Sequence, residues 1–150
     1  MNSHGSIPGP PRKYILVVDD DEGMRAALDI VLSPNYRVMV AIDGLDGCAK
    51  ANEMPQPDLI ITDVSMPNLD GIAMVRRIRE NDALQHVPVI FLTGLIWAAS
   101  LLVDLPVGTF AYLRKPTSPG MLETKVKRAL SRTERDLEPR APEVSASRGS

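Results

Sequence analysis

Short apolar runs alternate along the chain with longer segments in which apolar residues recur at helical spacing. The apolar runs have the length of β-strands and cover residues 14–18, 36–42, 57–63, 87–92 and 110–114. The segments between and after them have the 3.6-residue period of amphipathic helices and cover residues 24–32, 45–53, 72–80 and 122–130. Strands that alternate with helices predict an α/β fold with a doubly wound parallel sheet, because parallel neighbours need crossover connections.

Most of the predicted strands end on polar side chains that can take part in chemistry. Asp19 and Asp20 follow the first strand, and Asp63 ends the third. Thr93 and Lys115 follow the fourth and the fifth. Ligands of open α/β sheets bind at the carboxyl ends of the strands, where the loops leave a crevice. We therefore expect the acids, the hydroxyl and the ammonium group to converge on one edge of the sheet.

Clustered carboxylates at that edge predict a metal site. Three such groups repel one another unless a cation neutralises them, and an all-oxygen donor set without imidazole or thiolate suits Mg²⁺. A divalent cation, a lysine ammonium and a hydroxyl are together what a transferring phosphoryl group needs. One carboxylate then acts as the nucleophile and forms an acyl phosphate. Asp63 is the best candidate, because the other groups flank its strand.

Composition and charge limit the choice of function. The 150 residues suit one domain, and 17 basic against 19 acidic side chains give a formal net charge of −2. No overall field attracts nucleic acid, so we expect no direct nucleic-acid contact. The apolar runs are too short to span a membrane and the N-terminus lacks a signal core, which predicts a cytoplasmic protein. Cys48 is the only cysteine, which excludes an internal disulfide and a cysteine-built metal site.

Both ends of the chain lack apolar periodicity. Residues 1–12 are predicted to be a flexible leader, and residues 136–150 a disordered tail or a linker. The folded domain is therefore expected over residues 13–135. We expect no further output domain after it, because too little chain remains.

Four segments together resemble the receiver domain of two-component response regulators. They are residues 15–21 (ILVVDDD), 57–71 (PDLIITDVSMPNLDG), 89–94 (VIFLTG) and 112–116 (YLRKP). The resemblance covers about residues 13–130 and implies a flavodoxin-like, five-stranded parallel sheet in the order 2-1-3-4-5 with five helices. It also implies a signalling protein that is not an enzyme, since it would catalyse only its own phosphorylation and autodephosphorylation.

The resemblance assigns roles at the phosphorylation site. Asp63 would be the phosphoacceptor, Lys115 would contact the phosphoryl group, and Thr93 would donate its hydroxyl to it. Tyr112 matches the switch aromatic of the family, which turns inward when Thr93 moves. The Lys115–Pro116 peptide bond would be cis.

The resemblance also assigns the metal ligands. Mg²⁺ would be bound by Asp20, by Asp63 and by the backbone carbonyl of Ser65, with Asp19 acting through a water molecule. Mg²⁺ is thus the one cofactor that we expect.

The resemblance further implies the class of partner. A sensor histidine kinase or a histidine phosphotransfer protein would supply the phosphoryl group from a phosphohistidine. The phosphorylated chain would then change its contacts with a downstream protein target through the predicted fourth helix and the fifth strand. Neither the kinase nor the target can be named from the sequence.

Residues 95–106 occupy the position of the fourth helix and are apolar almost throughout. Only Ser100 and Asp104 are polar, whereas receivers commonly place charges on the outer face of this helix. A helix that is apolar all round is normally buried, and a small monomeric domain cannot bury both of its sides. We therefore expect an interface here, either with a target or in a homodimer that uses the large apolar side chains Leu95, Trp97, Leu101 and Leu102.

Three other interpretations compete with the phosphoacceptor switch. A phosphatase of the haloacid dehalogenase type also uses an aspartyl nucleophile, but it needs a second aspartate two residues further on, where Ser65 stands. The chain could be an interaction or dimerisation module that keeps the fold without phosphorylation, although no site residue is lost. It could also be a receiver cut from a larger kinase or regulator.

Overall fold

A computed structural model describes residues 11–94, 108–131 and 143–145 of the chain. The strands are β1 (Tyr14–Val18), β2 (Arg37–Ala41), β3 (Leu59–Thr62), β4 (Val89–Thr93), β5 (Thr109–Arg114) and β6 (Glu143–Ser145). The helices are α1 (Glu22–Leu32), α2 (Gly44–Ala51), α3 (Gly71–Ile78) and α4 (Pro119–Leu130), with one short 3-10 turn at Asp82–Leu84. The predicted helix over residues 95–106, with its proposed interface, lies outside the described residues.

All six strands run parallel in one sheet, in the order β2-β1-β3-β4-β5-β6. The first five strands have the predicted order, with β1 between β2 and β3. In the register of the sheet, Val18 at the end of β1 lies beside Ala41 of β2 and Thr62 of β3. The carboxyl ends of these three strands are therefore level, which brings the residues that follow them together.

Side chains of successive strand residues alternate between two apolar cores, one on each face of the sheet. Leu16 and Val18 belong to the core that includes α3, whereas Ile15 and Val17 belong to the core beneath α1 and α4. All four side chains are almost completely buried. A continuous apolar run is what a strand covered on both faces requires, which is why these strands lack a polar side.

The strand β6 corrects our prediction for the C-terminal segment. We expected residues 136–150 to have no regular structure, yet Glu143–Ser145 pairs with β5 at the edge of the sheet. A segment of three residues is too short for its periodicity to stand out among Pro, Ser, Arg and Glu. The free edge of β5, formed by residues far away in sequence, provides the hydrogen-bonding partners that the pattern could not show.

The helix faces were only partly predicted. The helical period of residues 45–53 predicts that Leu45, Cys48 and Ala49 form the buried face of α2. Cys48 does pack against the core, but Leu45 and Ala49 are exposed, and the buried residues are Gly44, Gly47 and Ala51. The helical period of residues 72–80 likewise predicts that Arg79, at the end of α3, faces solvent. Its guanidinium is instead largely buried and donates a hydrogen bond to the Leu84 carbonyl at 2.6 Å.

No helix in the part of the chain that the structure describes is both long enough and apolar enough to cross a membrane. The longest of them, α4, has 12 residues. A span through the hydrocarbon core of a bilayer takes about 20 apolar residues.

Candidate functional site

The first two site residues are brought together by the register of the central strands. Val18 and Thr62 are neighbours in the β1–β3 ladder, so Asp19 and Asp63 directly follow a matched pair. The Asp63 N–H donates to the Val18 carbonyl at 3.1 Å, and the Asp19 N–H donates to the Ala41 carbonyl of β2 at 3.2 Å. The backbones of both acids are thereby held at the carboxyl edge of the sheet.

Asp19, Asp20 and Asp63 form a compact acidic cluster. One carboxylate oxygen of each lies within 4.8 Å of the other two. Asp19 is almost fully buried, Asp63 is partly exposed and Asp20 is exposed, so the cluster opens to solvent on one side. Three carboxylate oxygens at this spacing, with no imidazole or thiolate among them, are a suitable donor set for Mg²⁺.

Lys115 approaches the cluster from the end of β5. Its ammonium donates hydrogen bonds to Asp19 Oδ2 at 2.8 Å and to Asp63 Oδ2 at 3.1 Å. Its backbone N–H donates to the Thr93 carbonyl at 2.7 Å, which fixes the lysine beside the end of β4. Burial lowers the pKa of Lys115, but the two carboxylates outweigh burial and raise the pKa overall. The ammonium is therefore charged at neutral pH, and one positive charge faces three negative ones.

The Asp63 carboxylate is oriented by its own chain. Its Oδ1 accepts hydrogen bonds from the backbone N–H groups of Val64 at 2.6 Å and Ser65 at 3.3 Å. Its Oδ2 accepts the hydrogen bond from Lys115. Both oxygens thus have fixed directions. Ser65 itself lies exposed in the loop after β3.

The β3–α3 loop is closed tightly behind the carboxylate. The Gly71 N–H donates to the Val64 carbonyl at 2.8 Å, and the Asp70 side chain caps α3 by accepting from the Ala73 N–H at 2.8 Å. A Cβ atom at Gly71 would overlap the carbonyl oxygen of Asp63. Only glycine allows α3 to begin this close to the backbone of the acid.

Thr93 and Tyr112 lie on the neighbouring strands β4 and β5. Thr93 ends β4 and is buried. Tyr112 is also buried, with its ring 6.4 Å from that of Phe91 between centroids. The buried hydroxyl of Tyr112 has no hydrogen-bond partner among the described residues. Burial, and secondly the charge of Asp63, raise the pKa of Tyr112 to about 12.

The structure therefore brings Asp19, Asp20, Asp63 and Lys115 together and places Thr93 and Tyr112 on the neighbouring strands β4 and β5. The peptide bond between Lys115 and Pro116 is cis, the isomer that the resemblance implies. Sequence reasoning missed Arg25, whose guanidinium in α1 donates to the Asp19 carbonyl at 2.8 Å. It also missed a hydrogen bond between Asn68 and Asp43. An Asn inside a Pro-Asn-Leu-Asp-Gly turn signals an unusual backbone conformation, but no sequence signal identifies its partner.

Residues 15–127 match the family model described as the response regulator receiver domain. The chain belongs to this family. The receiver domain of the sensor histidine kinase PA1611 from Pseudomonas aeruginosa has a similar fold, with a TM-score of 0.72 and 29% identity over 81% of this chain and 99% of that one. That crystal structure is described as having a magnesium ion coordinated in the active site cleft. Receiver domains are signalling proteins and not enzymes in the ordinary sense.

Longer regulators are also similar to this receiver. The transcriptional regulatory protein AfsQ1 of Streptomyces coelicolor is 36% identical over 81% of this chain and 53% of its own length. The regulator RpaA of Synechocystis is 34% identical over 81% of this chain and 50% of its own length. The chain thus spans about half the length of these curated relatives.

The names of these relatives bear on the expected partners. RpaA is named a DNA-binding dual master transcriptional regulator, so our expectation that nucleic acid plays no direct part is not supported. The expectation rested on the net charge of −2, which describes only this chain. Receiver domains interact with histidine kinases and with downstream targets, as we expected.

Proposed function

We propose that this receiver is a phosphoacceptor switch that takes a phosphoryl group onto Asp63 from a phosphohistidine. One observation carries the proposal: the Lys115 ammonium donates hydrogen bonds to both Asp19 and Asp63. These two carboxylates also form the acidic cluster with Asp20. A nucleophile, a metal-binding set and a fixed cation thus meet at one edge of the sheet. The receiver unit is proposed to span residues 13–135.

The transfer uses groups whose positions are described above. An oxygen of Asp63 attacks the phosphorus, and the new P–O bond forms as the P–N bond to the donor histidine breaks. The ring nitrogen leaves with the electron pair of the broken bond. Lys115 and the Thr93 hydroxyl donate hydrogen bonds to the oxygens of the transferred group, where charge must be neutralised.

Mg²⁺ is the proposed cofactor, held by Asp20, by Asp63 and by the Ser65 carbonyl, with Asp19 acting through water. When bound, it would neutralise phosphoryl oxygens that the single ammonium cannot. The donor chemistry supports this choice, since the cluster is all oxygen and carries more negative charge than Lys115 balances.

Signalling would follow from the neighbours of Asp63. The phosphoryl group adds charge and acceptor oxygens, draws the Thr93 hydroxyl towards it, and biases Tyr112 on β5. The proposed partners are a sensor histidine kinase or a phosphotransfer protein as donor and a downstream protein as target. A homodimer through residues 95–106 remains part of the proposal.

The deciding experiment is phosphorylation of the purified chain by acetyl phosphate with Mg²⁺, followed by intact mass. We expect one phosphoryl group on the parent chain and none on Asp63→Asn. Asp58→Asn is the matched control: Asp58 stands at the opposite end of β3, where its Oδ2 accepts from the Tyr14 N–H at 2.8 Å. That variant should be phosphorylated like the parent chain.

Two results would count against the proposal. Equal labelling of the parent and of Asp63→Asn would place the phosphoryl group elsewhere. A parent chain that takes no label from acetyl phosphate or from a phosphohistidine donor would favour an interaction module that keeps the fold without phosphorylation.

A further inference from the structure

Asn68 lies in the loop between β3 and α3 and has a left-handed backbone conformation, with φ at 69°. Asn tolerates this conformation better than most residues with a Cβ atom. Its side-chain amide donates a hydrogen bond to Asp43 Oδ2 at 2.7 Å. The two residues are 25 positions apart in sequence. The hydrogen bond therefore joins two different loops at the carboxyl edge of the sheet.

Asp43 is well suited to hold that amide. It is buried at the turn between β2 and α2, where its Oδ1 caps the helix by accepting from the Asp46 N–H at 2.8 Å. The hydrogen bond from the Asp46 backbone, and next that from the Asn68 amide, lower the pKa of the Asp43 carboxyl. Asp43 is therefore ionised at neutral pH, and a hydrogen bond to an ionised acceptor is stronger than one between neutral groups.

The same two loops are also in direct backbone contact. A Cβ atom at Gly44, the first residue of α2, would overlap the carbonyl oxygen of Leu69. The loop after β3 thus rests on the first turn of α2 beside the Asn68–Asp43 hydrogen bond. Its position depends on β2 and α2 as well as on the strand from which it emerges.

The segments on both sides of this hydrogen bond also contact acids of the proposed metal site. Two residues before Asp43, the Ala41 carbonyl accepts the hydrogen bond from the Asp19 N–H. Three residues before Asn68, the Ser65 N–H donates to Asp63 Oδ1. The Asn68–Asp43 hydrogen bond therefore connects the segment that fixes Asp19 with the loop that carries Ser65.

We propose that Asp43 and Asn68 are positioning residues that hold the β3–α3 loop, and with it the Ser65 carbonyl, in place for Mg²⁺. This inference rests on the proposed function, because it concerns the same metal site. Neither residue binds the metal ion itself. Partners that orient the ligands of a metal site commonly change metal affinity by about 10–100-fold when they are removed.

Asn68→Gly tests the proposal, since glycine also adopts the left-handed backbone conformation without strain and lacks the amide. The full chain is titrated with Mg²⁺ in a calorimeter. We expect Mg²⁺ to bind about tenfold more weakly than to the parent chain.

Asn81→Gly is the matched control. The Asn81 amide also donates a side-chain hydrogen bond at 2.7 Å between two elements, to Asn52 Oδ1, but it lies at the amino edge of the sheet. The affinity of the Asn81→Gly variant for Mg²⁺ should stay within about twofold of the parent value, because Asn81 is distant from the metal site and distant sites act independently.

An exchange of the two side chains separates positioning from a general loss of stability. Asn68→Asp places two carboxylates together, and Asp43→Asn replaces the ionised acceptor by a neutral amide, whose hydrogen bond is weaker, so each single variant should bind Mg²⁺ more weakly. The double variant restores a donor on residue 43 and an acceptor on residue 68. We expect the affinity of the double variant for Mg²⁺ to return to within about threefold of the parent value. If the single variants acted only by weakening the cap of α2, combining them would not restore the affinity.

Amide exchange of Ser65 without metal provides a second readout. Asn68→Gly should accelerate it, whereas Asn81→Gly should not. Unchanged Mg²⁺ affinity and unchanged Ser65 exchange in Asn68→Gly would overturn the inference. If the parent chain binds no Mg²⁺, the proposed function fails instead, and Ser65 exchange still decides whether the pair positions the loop.

Discussion

At the scale of single residues, Tyr112 stands out because its polar hydroxyl group is buried. Its ring belongs to the core that includes α3, and its hydroxyl is buried without a hydrogen-bond partner among the described residues. A buried hydroxyl without a partner costs roughly 1–3 kcal/mol. Such a cost is expected for a side chain that holds one of two positions, and it agrees with the proposed role of Tyr112 as a switch.

Tyr112→Phe should therefore change how stability depends on pH. Because the folded pKa of Tyr112 is raised to about 12, its contribution to stability is complete below the unfolded pKa and is lost as the pH rises towards 12. We expect the free energy of unfolding, measured in urea from pH 9 to 12, to fall less steeply in the variant, by about 1–2 kcal/mol at the upper end. At pH 7 the variant should be at least as stable as the parent chain.

Tyr14→Phe is the control for this measurement. The Tyr14 ring packs under the Arg37 guanidinium, 5.6 Å from its centroid, at the amino end of the sheet. The steep part of the parent curve should persist in that variant. A Tyr112→Phe curve that runs parallel to the parent curve at all pH values would contradict the raised pKa.

At the scale of elements, the joint between β3 and α3 determines how Asp63 is presented. The helix begins at Gly71, where any Cβ atom would meet the Asp63 carbonyl oxygen and the Thr62 hydroxyl. Since both obstacles are held by the sheet, a larger residue must displace α3 or distort the strand end. The position of the helix and the position of Asp63 are therefore coupled.

Gly71→Ala should lower the free energy of unfolding by about 2–3 kcal/mol, because a backbone carbonyl cannot move aside as a flexible side chain can. It should also weaken Mg²⁺ binding in the same calorimetric titration. Gly120→Ala provides the control in α4, where a Cβ atom would meet nothing within 4 Å. There we expect unchanged stability or a gain of up to about 1 kcal/mol. Equal stability of the two variants would show that the joint tolerates a side chain.

At the scale of the whole molecule, β6 covers the outer edge of the sheet beside β5. Its partners Ala111, Tyr112 and Leu113 lie two to four residues before Lys115 along the chain. An exposed strand edge offers unpaired backbone groups to other chains, so a covering strand protects it. The contact is short, and most of the buried core lies on other elements.

A chain cut after residue 135 should therefore keep its fold and its Mg²⁺ affinity while β6 is lost. We expect faster hydrogen exchange for amides within Ala111–Leu113, read by NMR, and a cooperative unfolding transition with only a modest loss of stability. Failure of the shortened chain to fold would contradict both this view of β6 and the proposed domain of residues 13–135. Unchanged exchange along β5 would show that β6 does not protect the edge.

The sequence alone determined the first five strands, their parallel arrangement and the side chains at their ends. Those inferences depend on local patterns: continuous apolar runs indicate strands buried on both faces, and the carboxyl ends of parallel strands must lie on one edge. Asp19, Asp63, Thr93 and Lys115 could be placed at that edge without coordinates. The cap at Asp70 follows from local pattern in the same way, because Asp70 stands just before the predicted helix of residues 72–80 and a capping side chain acts within three residues of itself.

Only the tertiary structure decided the contacts between groups that are distant along the chain. The hydrogen bond from Asn68 to Asp43, the buried Arg79 guanidinium and the pairing of β6 each depend on a partner that no local pattern specifies. Leu45 and Ala49 of α2 were wrongly predicted to be buried, because the helix packs most closely through Gly44 and Gly47, which carry no hydrophobic signal. Local periodicity reports which side chains avoid water, whereas the fold decides which atoms they meet.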